Sequence, residues 1–89
     1  MLRRTVTIVN KLGLHARAAA KFVQTASGFN SEININFAGK EVSGKSIMGV
    51  MMLAAGKGCD IDIIASGTDE DDAINAMEQL IQNRFGEDE

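Results

Sequence analysis

The sequence predicts an α/β (α+β) two-layer open-faced sandwich: a four-stranded antiparallel sheet with three helices on one face, in the order β-α-β-β-α-β-α. Three observations carry that prediction. The strand-forming runs alternate apolar with polar residues, which marks strands that are wet on one side. The runs between them repeat apolar residues at helical spacing, so their covered stripes must meet the dry side of the sheet. No linker, internal repeat or low-complexity tract interrupts the order, and residues 1–89 read as a single domain.

The first strand comes from Thr5 to Val9, with Val6 and Ile8 on one face. A helix follows, because Ala19, Phe22, Val23 and Ala26 fall at i, i+3, i+4 and i+7, with Arg17, Lys21 and Gln24 elsewhere around it and Gly28 able to end it. Ile33, Ile35 and Phe37 alternate with Asn34 and Asn36 as the second strand. Ala38-Gly39 reads as a tight hairpin into a short third strand, Lys40 to Ser43. Ser46 is placed to cap a short helix from about Ile47 to Ala54. Ile61, Ile63 and Ala65 alternate with Asp60, Asp62 and Ile64 as the fourth strand. The last helix opens on Thr68-Asp69-Glu70-Asp71, which resembles a capping box with Asp at its final position. Its acidic first turn, Asp69 to Asp72, complements the helix dipole, and Ala73, Met77, Leu80 and Ile81 form its stripe before Arg84 and Gly86.

Composition excludes several classes of function. A net charge of −3 and four aromatic residues, all Phe, offer neither a basic field nor a stacking surface for nucleic acid. The amino terminus alternates after Arg3 and Arg4 and lacks the apolar core of a signal peptide. No apolar run approaches the ~20 residues of a membrane span. A single cysteine, Cys59, rules out an internal disulfide, which fits a reducing, cytoplasmic compartment, and Cys59 reads as a small buried or half-buried residue.

Two segments could carry phosphate chemistry. In Gly13-Leu14-His15-Ala16-Arg17-Ala18-Ala19-Ala20-Lys21-Phe22 the only histidine stands just before a helix, whose free N–H groups and positive dipole end point back toward it. A neutral imidazole is a competent nucleophile near neutral pH, and a guanidinium two residues on can fork onto phosphoryl oxygens. An isolated His-x-Arg is more often a surface residue or helix cap beside a solvated cation, and spacing alone does not overturn that reading. The rival is Gly39-Lys40-Glu41-Val42-Ser43-Gly44-Lys45-Ser46, which satisfies the P-loop pattern letter for letter. Its context argues against it: Lys40 to Ser43 reads as a strand, the strand before it alternates as a buried parallel strand does not, and few residues remain for a nucleotide domain.

Gly-Leu-His15-Ala-Arg17, followed at a distance by Gly44-Lys-Ser46-Ile-Met-Gly-Val-Met-Met-Leu-Ala-Ala-Gly-Lys-Gly58, resembles the HPr phosphocarrier family of the phosphoenolpyruvate-dependent phosphotransferase system nearly end to end. The resemblance implies that His15 accepts a phosphoryl group from enzyme I at Nδ1, as a pros-phosphohistidine, and hands it to an enzyme IIA domain in sugar uptake. Arg17 matches the family arginine beside the phosphohistidine. Ser46 matches the serine that an HPr kinase/phosphorylase modifies in many members, and it reads either as a helix cap alone or as a cap that is also a switch. The family docks partners through the start of one helix and the short helix, which here means Ala16, Arg17, Ala20, Met48, Gly49, Met51 and Met52. On a helix so short, Met48 or Met52 must face solvent, and flexible thioethers suit a surface that meets several partners.

The chain departs from most members at Ala18, where they carry proline; alanine is an excellent helix former, so the turn is still expected, with less rigidity at its start. The resemblance implies a cytoplasmic, monomeric, stoichiometric carrier rather than an enzyme, with no cofactor and no metal. The alternative is a regulatory binding module of the same fold, in the nitrogen branch or sensed by kinases, whose phosphorylation state is read instead of passed on.

Overall fold

The three alternating runs and the short hairpin partner enter one sheet. The computed structural model describes every residue from Met1 to Glu89. It places β1 at Leu2–Thr7, α1 at Ala16–Ser27, β2 at Glu32–Phe37, β3 at Lys40–Ser43, α2 at Ile47–Met52, β4 at Asp60–Ser66 and α3 at Glu70–Gln82, followed by a 3₁₀ turn at Arg84–Gly86. The strands pair in the order β1-β4-β2-β3, every neighbour antiparallel.

Register keeps the apolar positions on one face. Val6 pairs with Ile61 and Ile35 with Ile63, and these side chains join Ile33 and Ala65 in a single core of 20 buried residues. Phe22 of α1, Val50 of α2 and Ile74, Met77 and Ile81 of α3 cover that face. The other face is polar: Arg3 and Thr5 bond to Asp62 at 2.9 and 2.6 Å, and Asn34 Nδ2 donates to Glu41 at 3.2 Å. Ile64 is the exception, buried on this outer face with Arg3 and Asn34 as its register partners.

The hairpin forms as its sequence predicts. Ala38 and Gly39 both take left-handed φ values, 54° and 81°, which is the two-residue turn whose twist matches its strands. The loop before α1 is fixed by a closer approach: a Cβ on Gly13 would lie 2.5 Å from the Ala55 carbonyl oxygen, and Leu14 N–H donates to that same oxygen at 3.0 Å. His15 therefore emerges from a loop pinned against the segment after α2.

Several local expectations are corrected. Strand β1 starts at Leu2 and ends at Thr7, with Ile8 still buried and its N–H donating to the Cys59 carbonyl at 2.9 Å. Helix α2 stops at Met52, and Ala54 beyond it lies in the left-handed region at φ 54°. Ala18 is fully buried in the core, so it packs as well as prolongs the helix, and α1 begins at Ala16 without a proline. Ile74 is in the core while Leu80 lies at its margin. Cys59 is half-buried and free, as its sequence context implied.

The capping box does not form. Asp69 is the N-cap of α3, yet its carboxylate crosses to the α1–β2 turn, accepting from the N–H groups of Asn30 and Ser31 at 2.9 Å each and from the Ser31 hydroxyl. The part-buried Ser31 N–H and hydroxyl need an acceptor, and the Asp69 carboxylate serves them instead of capping its own helix. Glu70 instead accepts from Gly67 N–H at 3.1 Å.

The hydrogen bonds from the Ser31 hydroxyl and the Asn30 N–H hold the Asp69 carboxyl below the usual carboxylate range. A carboxyl lowered by folding stabilises the fold above its unfolded pKa of about 3.9, and that contribution is lost as pH falls through the native value. Asp69→Asn is expected to lower the melting temperature at neutral pH and to flatten its decline in acid, measured by circular dichroism from pH 7 to pH 2. Parallel curves for wild type and variant would contradict the assignment.

Candidate functional site

His15 is the N-cap residue of α1, with extended backbone (φ −74°, ψ 178°), and its side chain accepts nothing from the first turn. The first-turn N–H groups are thus left open at the positive end of a 12-residue helix. The imidazole is 26% exposed at the edge of an open concavity of about 750 Å³ that it shares with Lys11, Leu12 and Arg17. Arg17 is exposed and makes no ion pair, so its guanidinium is available to an anion.

The remaining wall of this concavity comes from residues that sequence reasoning missed. After α3 the chain turns back, and Glu87, Asp88 and Glu89 line the same space. Glu87 Oε2 meets His15 Nε2, and Glu87 Oε1 accepts from Asn10 Nδ2 at 3.1 Å. Burial pushes the Glu87 carboxyl up, but hydrogen bonds from Asn10 and His15, with the nearby positive charge of Arg17, outweigh it and hold the group below its ordinary range. Asn10 also donates to the Gly13 carbonyl at 2.9 Å, linking the loop before His15 to the tail. The contact between His15 and Glu87 spans 72 residues, and no periodicity in the sequence encodes it.

Ser46 occupies the predicted cap: its Oγ accepts from Gly49 N–H at 3.2 Å. The P-loop reading fails on geometry, because Gly39 lies in the hairpin turn, Lys40 to Ser43 pair with β2, and Lys45 Nζ donates to the Phe29 carbonyl at 2.8 Å. No phosphate cradle exists there. Among the predicted docking residues, Ala16, Met48, Met51 and Met52 are exposed, Gly49 and Ala20 half-buried. Helices α1 and α2 pack side by side, which brings these positions onto neighbouring helices. Ile47, 43% exposed at the start of α2, adds to the methionines, and Leu12, 65% exposed, stands beside His15. No group of three His, Cys, Asp or Glu side chains could hold a metal ion, and no helix is long and apolar enough to cross a membrane.

Fold and site together define a small α+β protein that presents its single imidazole at an open helix start. The family model described as "PTS HPr component phosphorylation site" matches residues 2–83. The chain is 54% identical over 89 residues, the full length of both, to the phosphocarrier protein HPr of Cupriavidus necator. Among solved structures it is similar to HPr-C-His from Thermoanaerobacter tengcongensis, with a TM-score of 0.96 and 48% identity over 100% of each chain. It is also similar to the HPr dimer from the same organism, with a TM-score of 0.78 and 49% identity over 98% of this chain and 100% of that one. The chain belongs to the HPr family of the phosphotransferase system. It is a phosphocarrier component and not a catalytic enzyme.

The cap geometry predicts the cost of removing it. Ser46→Ala is expected to lower the unfolding free energy by about 1 kcal/mol, read from urea midpoints at constant m-value. No loss at all would show that the Gly49 N–H is satisfied equally well by water.

Proposed function

We propose that His15 accepts a phosphoryl group from phosphorylated enzyme I at Nδ1 and passes it to an enzyme IIA domain of a sugar-uptake branch, while Arg17 neutralises the phosphoryl oxygens. The observation that carries this reading is the seating of the chain's only histidine at the open start of α1, beside an unpaired guanidinium. A helix N-terminus favours an anion by roughly 0.3–1 kcal/mol, and a forked guanidinium adds charge-assisted hydrogen bonds. Partner proteins dock on Ala16, Ala20, Met48, Gly49, Met51 and Met52, whose exposed thioethers adapt to surfaces of different shape.

Ser46 serves in this account both as cap and as regulatory site. Phosphate there adds about −1.5 to −2 charge at the start of α2, beside the docking residues, and opposes an acidic partner. The carrier works as a single cytoplasmic domain and as a monomer, although one solved relative is a dimer.

Incubation with phosphoenolpyruvate, Mg²⁺ and enzyme I is expected to add one phosphoryl group that is lost in mild acid and survives base. His15→Ala abolishes it without unfolding the protein, and Arg17→Ala slows transfer by about 10²-fold while leaving the site phosphorylatable. Ser46→Asp slows transfer from enzyme I more than it changes stability. Acid-labile phosphate on His15→Ala would overturn the acceptor assignment, and equal rates for Ser46→Asp and wild type would remove the switch.

A further inference from the structure

The C-terminal strap is held in a conformation that its own residues disfavour. Arg84, Phe85 and Gly86 take successive left-handed φ values of 57°, 55° and 78°, and two of the three are not glycine. Such backbone persists only where the surroundings fix it, and it gathers at functional sites. Here Phe85 is fully buried, and Lys21 Nζ of α1 donates to the Phe85 carbonyl at 2.7 Å. At the far end Lys11 N–H donates to the Glu89 carbonyl at 2.8 Å. Between these anchors the strap delivers Glu87 to the imidazole.

The partners of Glu87 are equally committed. Asn10 is fully buried and spends both hydrogens of its amide on Gly13 O and Glu87 Oε1, while its own Oδ1 has no partner. An amide kept at that cost orients a carboxylate. An ionised carboxylate only accepts, so its contact with His15 requires hydrogen on Nε2. The neutral ring then carries its lone pair on Nδ1, which makes no hydrogen bond.

We propose that Glu87 is a positioning residue for phosphoryl transfer: its carboxylate holds the Nε2–H of His15 and so presents a bare Nδ1 lone pair to the incoming phosphoryl group. This deepens the proposed function and rests on its assignment of His15 as acceptor. In the transfer, a bond forms from Nδ1 to phosphorus while the donor's bond to phosphorus breaks, and the donor keeps that electron pair. The proton stays on Nε2, and the positive charge that develops on the ring is offset by Glu87. On the return step the ring leaves with its Nδ1 lone pair, still held at Nε2. The competing possibility is that the acidic strap obstructs the phosphoryl group and must leave first.

The test uses the full chain with ¹⁵N-labelled histidine, as wild type, Glu87→Gln and Glu87→Ala. Wild type is expected to show a downfield, slowly exchanging Nε2–H proton resonance that Glu87→Ala loses. Transfer from phosphorylated enzyme I is expected to fall about 10- to 100-fold in Glu87→Ala, the worth of one charge-assisted hydrogen bond, with an unchanged KM for enzyme I. Glu87→Gln, whose amide oxygen still accepts from Nε2–H, recovers part of the rate. A resonance absent from wild type or retained in Glu87→Ala would overturn the proposal, as would transfer in Glu87→Ala as fast as wild type; faster transfer would mark the strap as an obstruction. A wild type that takes up no phosphoryl group would instead fail the acceptor assignment, and the resonance would still report whether Glu87 holds the ring.

Discussion

One-sided burial of the sheet is the constraint on which the rest depends. Because Val6, Ile33, Ile35, Ile61, Ile63 and Ala65 all face the same way, α1, α2 and α3 must lie in a single layer. Phe22, fully buried, seats α1 on that layer, and Gly13 presses the preceding loop against Ala55. The position of His15 follows from these two contacts. It stands at the end of a helix whose axis the core has fixed, in a loop that cannot drift.

The same layer explains why the site is open. Helix α1 buries Ala18, Ala19, Phe22 and Ala26 on one side, which leaves its first turn, with Ala16 and Arg17, at the margin where the core ends. Nothing caps that turn from within the chain's own start, so it offers donors and positive potential to an anion. What closes it partly is the chain's other end, where an acidic strap supplies the only carboxylate in contact with the imidazole. A cationic helix start, a guanidinium and a carboxylate around one ring are opposing electrostatic influences.

Much of this was legible in the residues. Period-two runs located three of the strands, Ala38-Gly39 announced the hairpin that brings in the fourth, and Ser46 capped α2 as its position before Ile47 implied. The shortness of their helix required Met48 or Met52 to face solvent, and both do. The failures share one cause. Thr68-Asp69-Glu70-Asp71 looked like a local cap, but Asp69 serves Ser31 from 38 residues away, and Glu87 serves His15 from 72 away. Local spacing encodes local bonds, whereas these carboxylates answer to donors that only the tertiary fold brings within reach. Even the turn that aims the strap is hidden, since Arg84 and Phe85 are residues that seldom adopt positive φ.

One ring nitrogen of His15 meets the Glu87 carboxylate, and the other is open. Spectra of the phosphorylated, ¹⁵N-histidine-labelled protein read that directly, through coupling between phosphorus and the ring nitrogens. The account predicts one-bond coupling to Nδ1 of His15 with a proton retained on Nε2. Coupling of phosphorus to Nε2 would contradict it.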